Sequence, residues 1–206
     1  KTEDDESETW TRCFWRYSPG GSSQGHGIVV PFGATVCLAG IECHSLSLRY
    51  ILHSNSYVHQ NLNIPGIITA TARNIHGDEE DPYDAEDLAN LPGGFRQLVD
   101  PQEAVYVNFN DPEEIEDRLS GNLPEETLEV KVSKSGRLDA VAAWFVLDVD
   151  EDIKLTTAPG KGSCWEQAIY PLYPPIHVTE GQTLQYVVKC TGKKFLVTAK
   201  ILEDNK

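Results

Sequence analysis

The chain of 206 residues has no methionine at all. A primary translation product begins with one, so a piece excised from a longer protein is expected. No apolar run approaches the roughly 20 residues that cross a bilayer, so no membrane partner is expected. Residues 1–8 are mostly acidic, unlike the basic-then-apolar opening of a secretory leader. No pair of cysteines has CxxC spacing and no N-x-S/T acceptor occurs. A reducing compartment, cytoplasmic or nuclear, follows as the expectation. No G-x-G-x-x-G opens a helix after a strand, and there is no P-loop, so no recognisable nucleotide-binding unit is present. Basic residues are scarce, 17 Lys and Arg against 32 Asp and Glu. That balance argues against direct nucleic-acid binding, which needs clustered cations for the phosphate backbone.

What is present fits one globular domain with an insertion, with enough chain to bury a sizeable core. Hydrophobic residues make up 40% and charged residues 24%. The net charge of −15 favours a cationic partner, or serves solubility alone. The five cysteines, Cys13, Cys37, Cys43, Cys164 and Cys190, are scattered, and Cys37 and Cys43 read as small buried hydrophobes.

The organising stretch is residues 138–170. A long apolar run is followed by an acidic turn at 150–152, a short strand at 153–157, a Pro-Gly-Lys-Gly loop and a third strand at 168–170. This is a β-meander with a Cys and a Trp where the last loop meets the last strand. Before it, Val105, Val107 and Phe109 alternate on one face of a strand. Asp111-Pro112-Glu113-Glu114 spells the start of a short helix that Gly121 stops. Leu128, Val130 and Val132 alternate against Glu129 and Lys131. Residues 28–43 read as two strands punctuated by Pro31 and Gly33, and Pro171, Pro174 and Pro175 as a loop that breaks any continuous ladder. Residues 184–190 and 194–202 form a hairpin about Thr191-Gly192. The class expected is all-β, mainly antiparallel, a barrel or a sandwich with one short helix.

Residues 46–97 lose the clean period of two and carry the acidic tract 78–87. They read as a long, partly mobile insertion solvated by its charge. Residues 1–27, an acidic lead, an aromatic patch and a Gly-rich loop, read as a linker from an upstream domain. Gly21-Ser22-Ser23-Gln24-Gly25 matches the nucleophile-elbow spacing but lacks the strand before and helix after, so Ser23 is read as loop and not as a catalytic residue. Cys43, His44, His53 and His59 lack the tight spacing of a zinc half-site, so no metal is expected.

The meander resembles the β-barrel domain of the protein arginine methyltransferases. The matching residues are Ala140-Val141-Ala142-Ala143-Trp144-Phe145, then Thr156-Thr157-Ala158-Pro159, then Ser163-Cys164-Trp165-Glu166-Gln167, where the family has a Thr-His-Trp loop. The Cys-Trp-Glu-Gln form, with Leu91-Pro92-Gly93-Gly94-Phe95 upstream, is similar to the ninth branch of that family. The resemblance implies a methyltransferase-type β-barrel over 28–206, with the interval 46–97 as a dimerisation arm. A plain solvated loop is the other reading of that interval.

It further implies that the intact enzyme transfers methyl groups from S-adenosylmethionine to arginine of a protein substrate. Cofactor and catalytic glutamates would lie in a missing upstream domain, leaving this fragment inactive, with no catalytic residue of its own. Glu42, Glu113 and Glu114 read locally as a strand-end residue and helix-cap acids. The substrate-binding residues implied are Cys164 and Trp165, Cys164 standing where most members have His. That altered loop resembles the symmetric-dimethylating class. The alternatives are that Trp165 is a core tryptophan and Cys164 a buried strand residue. The rival function is a non-enzymatic binding module for basic peptides.

Overall fold

The computed structural model describes residues 29–46, 83–190, 192 and 194–202. The linker 1–27 with Ser23, the histidines His53 and His59, and most of the insertion 46–97 lie outside the described residues.

Among the described residues the named elements include helix α1 (Pro112–Leu119) and the strands β1 (Gly33–Glu42), β2 (Asp84–Glu86), β3 (Arg96–Gln97), β4 (Gln102–Asn108), β5 (Glu126–Lys131), β6 (Gly136–Asp148), β7 (Lys154–Thr156), β8 (Gln167–Val178), β9 (Thr183–Cys190) and β10 (Phe195–Ile201). One sheet has the order β2-β8-β6-β1-β3, with β4 also on β1 and β7 also on β6. The other has the order β10-β9-β5. The pairings are antiparallel.

The class is therefore the expected one, but among the described residues neither sheet closes into a barrel. At one flank the sheets meet through the single bridge Val99–Val132. At the other, Tyr170 Oη donates to Phe195 O at 2.9 Å, a side-chain bond where a closed barrel would have a ladder.

β6 reads as a continuous apolar run because both of its faces are covered. Leu138, Val141 and Ala143 point into the interior between the sheets, with Leu38, Val105 and Tyr186. Ala140 and Ala142 belong to a second cluster with Ile41, Leu88 and Ile169, and Trp144, half-buried, packs against it. Strands buried on both faces lose the period of two for this reason.

Several local expectations are met. Asp111 caps α1, its Oδ1 accepting from Glu113 N and Glu114 N at 3.1 Å each, with Pro112 in the first turn. Val105 and Val107 are buried, and Cys37 and Cys43 with them.

Three details differ. The expected two strands of 28–43 are, over the described residues 29–43, one strand starting at Gly33. The acidic tract is not solvated throughout: Asp84, Ala85 and Glu86 pair with Ile169, Ala168 and Gln167 as an edge strand. Charged side chains are tolerated there because an edge strand pairs by its backbone on one side and faces water on the other.

The third difference is that β8 runs on through Pro171, Pro174 and Pro175. Its ladder does break. Ala140 pairs with Pro171 and Leu138 with Ile176, so residues 172–175 stand opposite the single Asp139. A bulge of that kind is where a strand accommodates prolines.

Asp139 is a buried carboxylate that the sequence reading passed over. Its Oδ2 accepts from Cys43 N at 2.9 Å and its Oδ1 from Arg137 Nε at 2.7 Å, so the burial is compensated.

Candidate functional site

The loop 157–166, between β7 and β8, is held at its start, middle and end. At its start Thr157 is buried against β6: its N–H donates to Phe145 O at 2.9 Å, and its Oγ1 both accepts from Phe145 N and donates to Phe145 O at 3.1 Å. Gly160 and Gly162 follow with φ of 72° and 74°, the left-handed region, and a Cβ at either would meet nothing within 4 Å. The loop therefore needs glycine there for backbone conformation and not for space.

Further along, Ser163 Oγ accepts from Trp165 N at 3.0 Å, and the Trp165 ring packs on Phe145 with centroids 4.6 Å apart, tilted by 58°. At the end, Gln167 is buried; its Nε2 donates to Thr157 O at 2.9 Å and to Trp165 O at 3.3 Å.

Between these anchors Cys164 and Glu166 are exposed and Trp165 is half-buried. Trp165 is thus not enclosed as a core tryptophan would be, and Cys164 is not a buried strand residue. The two sequence-predicted residues come together on one anchored loop.

One residue of the loop, Glu166, lines a cavity of about 180 Å³ at the end of the molecule where β1 and β8 begin and β4 and β6 finish; Cys164 and Trp165 are not among its lining residues. Val107, Phe109, Phe145, Ala168 and Phe195 form apolar walls, and Glu166 adds a carboxylate from the loop itself. Arg118, also at the cavity, is engaged elsewhere: Nε donates to Glu114 Oε1 at 2.9 Å and Nη2 to Tyr106 O at 3.1 Å, and Glu126 lies 3.6 Å from Nη1.

Two further groups at the cavity, Cys190 and Tyr170, are kept neutral. Burial pushes the Cys190 thiol up, outweighing the opposing pull of Arg118, and burial also raises the Tyr170 hydroxyl. Neither serves as an anionic nucleophile at neutral pH.

The glutamates behave as read locally. Glu42 pairs with Arg96, whose Nε donates at 2.7 Å, while Glu113 and Glu114 sit in the first turn of α1. Among the described residues no group of three or more His, Cys, Asp and Glu side chains is placed to hold a metal ion. No helix there is long and apolar enough to cross a membrane.

Sequence reading missed the part played by Gln167. It was visible only as the last residue of the Cys-Trp-Glu-Gln motif, and its hydrogen bonds to Thr157 O, Trp165 O and Leu88 N cannot be read from local pattern.

Comparison with known proteins bears on the same stretch. Residues 98–196 match the family described as the arginine methyltransferase oligomerization subdomain. Protein arginine N-methyltransferase 9 of Mus musculus is 30% identical over 149 residues, covering 71% of this chain and 17% of the relative. The Homo sapiens protein of the same name gives the same identity and coverage, and the Xenopus laevis one is 27% identical over 154 residues, covering 74% of this chain and 18% of the relative. The chain thus spans less than a fifth of the length of these curated relatives.

Among solved structures, the Trypanosoma brucei PRMT1 enzyme–prozyme heterotetrameric complex with AdoHcy superposes with a TM-score of 0.59 at 14% identity, covering 85% of this chain and 55% of that one. Arabidopsis thaliana protein arginine methyltransferase 10 gives 0.52 at 17% identity, covering 83% and 59%. At those identities the likeness is one of fold. The match over 98–196 includes the anchored loop, and relatives 30% identical align over 71% of the chain, so the chain carries the arginine methyltransferase oligomerization subdomain.

Proposed function

We propose that this chain is the substrate-side β domain of a protein arginine methyltransferase, and that its loop 157–166 forms one wall of the pocket for the substrate arginine. The intact protein then transfers methyl groups from S-adenosylmethionine to arginine of a protein substrate. The observation that carries this is the anchored loop itself. Its ends are fixed on Phe145 and Gln167, yet it leaves Cys164 exposed and Trp165 half-buried. A guanidinium is flat and cationic, so the π face of Trp165 and the Glu166 carboxylate beside it are suitable neighbours.

S-adenosylmethionine is read as held by another part of the intact protein, and the N-terminus of α1 offers it no site. The N-terminus of α1 is filled by the Asp111 carboxylate and flanked by Glu113 and Glu114. That end repels the methionine carboxylate of the cofactor, which belongs with the rest of the intact protein. The chain's own contribution is to bind and orient the arginine.

The interval 46–97 is read as an arm for self-association; the subdomain named for oligomerization matches the adjoining residues 98–196 and does not include it. Cys37, Cys43, Cys164 and Cys190 are free, which supports a cytoplasmic or nuclear setting. The thiol of Cys164 in place of histidine supports a product of the symmetric class.

The test is Trp165→Ala in the intact protein. The kcat/KM for a peptide substrate is expected to fall at least about tenfold, about 1.4 kcal/mol of transition-state stabilisation, with cofactor affinity unchanged. Full peptide turnover in that variant sinks the assignment.

A further inference from the structure

We propose that Gln167 is a positioning residue that fixes the Trp165 loop to the segment carrying β2 and the 3₁₀ turn Leu88–Asn90. The pose of the proposed substrate wall would then depend on how that segment is docked. The consequence for substrate rests on the reading of the loop just given; the clamp itself does not.

Gln167 is 3% exposed and opens β8, directly opposite Glu86 of β2. Its amide spans three pieces of chain. Oε1 accepts from Leu88 N at 3.0 Å, and Nε2 donates to Thr157 O at 2.9 Å and Trp165 O at 3.3 Å.

Each partner needs it. The first N–H groups of a helical turn have no acceptor within the turn. Asp87 accepts from Ala89 N and from the Asn90 side chain, which leaves Leu88 N to Gln167. At the loop, the carbonyls of Thr157 and Trp165 stand at its two ends, and a single amide group closes the span between them.

The bonds from Nε2 are also what hold Trp165 over Phe145. Thr157 is already pinned to the backbone of Phe145, so tying Trp165 O to Thr157 O brings the indole to the ring it packs on. An amide suits this position because it carries an acceptor and two donors on one flat group. Leucine would remove all three of these hydrogen bonds in a low-dielectric site, and glutamate would keep the acceptor while facing two carbonyls with negative charge. The two substitutions therefore cut the clamp in different places.

The experiment uses the 206-residue chain with Cys13→Ser, a nitroxide on the exposed Cys164, and hydrogen exchange of backbone amides at pH 8. In Gln167→Leu, exchange at Leu88 is expected to rise roughly tenfold and the nitroxide to become more mobile. Amides at the centre of β6 should keep their protection. In Gln167→Glu, Leu88 should stay protected while the nitroxide is freed, and this variant carries the test if the leucine chain does not fold.

An unchanged nitroxide spectrum in both variants overturns the proposal. So does exchange that rises equally across β6 and β8, the mark of an ordinary core residue.

In the intact protein Gln167→Leu should raise the KM for peptide more than it lowers kcat, with cofactor KM unchanged. A loosened loop with unaltered peptide kinetics would instead strike the substrate-wall reading and leave the clamp standing. The two failures are thereby told apart.

Discussion

The interior around Gly40 and the loop around Gly160 are built on opposite terms. Around Gly40, where β1 finishes and β6 begins, packing is so close that there is no room for another methyl group. A Cβ on Gly40 would lie 2.7 Å from Leu138 Cδ1 and 2.9 Å from both Tyr186 Oη and Val99 Cγ2. Leu138 and Tyr186 are fully buried there, and paired charges, Glu42 with Arg96 and Arg137 with Asp139, stand beside them. At the loop, where β6 finishes and β8 begins, a cavity of about 180 Å³ remains and Gly160 and Gly162 face open space. Cores lose stability with every void. A void kept at one end of a well-packed fold, beside an anchored loop bearing exposed polar groups, is where binding is expected and where stability is not.

The sharpest way to break the comparison is to make the same substitution at both sites. Gly40→Ala should destabilise by about 1–3 kcal/mol through overpacking. Tyr186→Phe removes one of the clashing atoms, a buried hydroxyl without a hydrogen-bond partner among the described residues, and should relieve part of that cost in a double-mutant cycle. In the loop Gly160→Ala meets no atom, and its cost of about 1–2 kcal/mol is purely that of a left-handed backbone. Tyr186→Phe should rescue nothing there. Urea denaturation of the native chain, the three single variants and the two double variants gives the answer; equal rescue at both glycines would mean the two sites are not packed differently.

A smaller effect should appear with pH beside the packed interior. Burial raises the Glu42 carboxyl, but the hydrogen bond from Arg96, the Arg137 N–H and the charges of both arginines outweigh it, so the group titrates below its ordinary range. A depressed carboxyl contributes stability that is fully present above its unfolded value and is lost as pH falls through the folded one. The stability advantage of the native chain over Glu42→Gln should therefore be constant from neutral pH down to about pH 5 and shrink below the ordinary glutamate value near 4.3. A difference that grows on acidification would reverse the assignment.

What was legible in the sequence follows the reach of each interaction. The cap of α1 is spelled out by Asp111, Pro112, Glu113 and Glu114 because all of its bonds lie within three residues. The alternating strands β4 and β5, and the hairpin of β9 and β10, read correctly because side-chain period is local. β2 was hidden because its acidic residues signal solvent, while the partner that makes it a strand lies in β8. Asp139 and Gln167 were hidden for the same reason, their backbone partners Cys43 and Leu88 being 96 and 79 residues away in sequence. Closure of a barrel is likewise a matter of distant edges meeting, and the pattern of strands alone does not decide it. Cys164 and Trp165 were legible through their motif, but the anchoring that makes them a surface was not.

The smallest expected effect on stability, and the most direct on chemistry, is at Cys164. The residue is exposed on the loop, so Cys164→His adds an imidazole without crowding a core, and stability should change by no more than about 0.5 kcal/mol. A thiol is a weak hydrogen-bond donor, whereas an imidazole donates and accepts, and a charge-assisted bond from it to a carboxylate is worth about 1.5–3 kcal/mol. If the loop is the wall of the arginine pocket, histidine here should alter how firmly the arginine is held between successive methyl transfers. The ratio of mono- to dimethylated product in the intact protein should then shift, read by mass spectrometry beside a melting curve. An unchanged product ratio with an unchanged Tm would show that Cys164 stands outside the pocket. A lowered Tm with an unchanged ratio would show that the loop is packed more like the interior around Gly40 than its geometry implies.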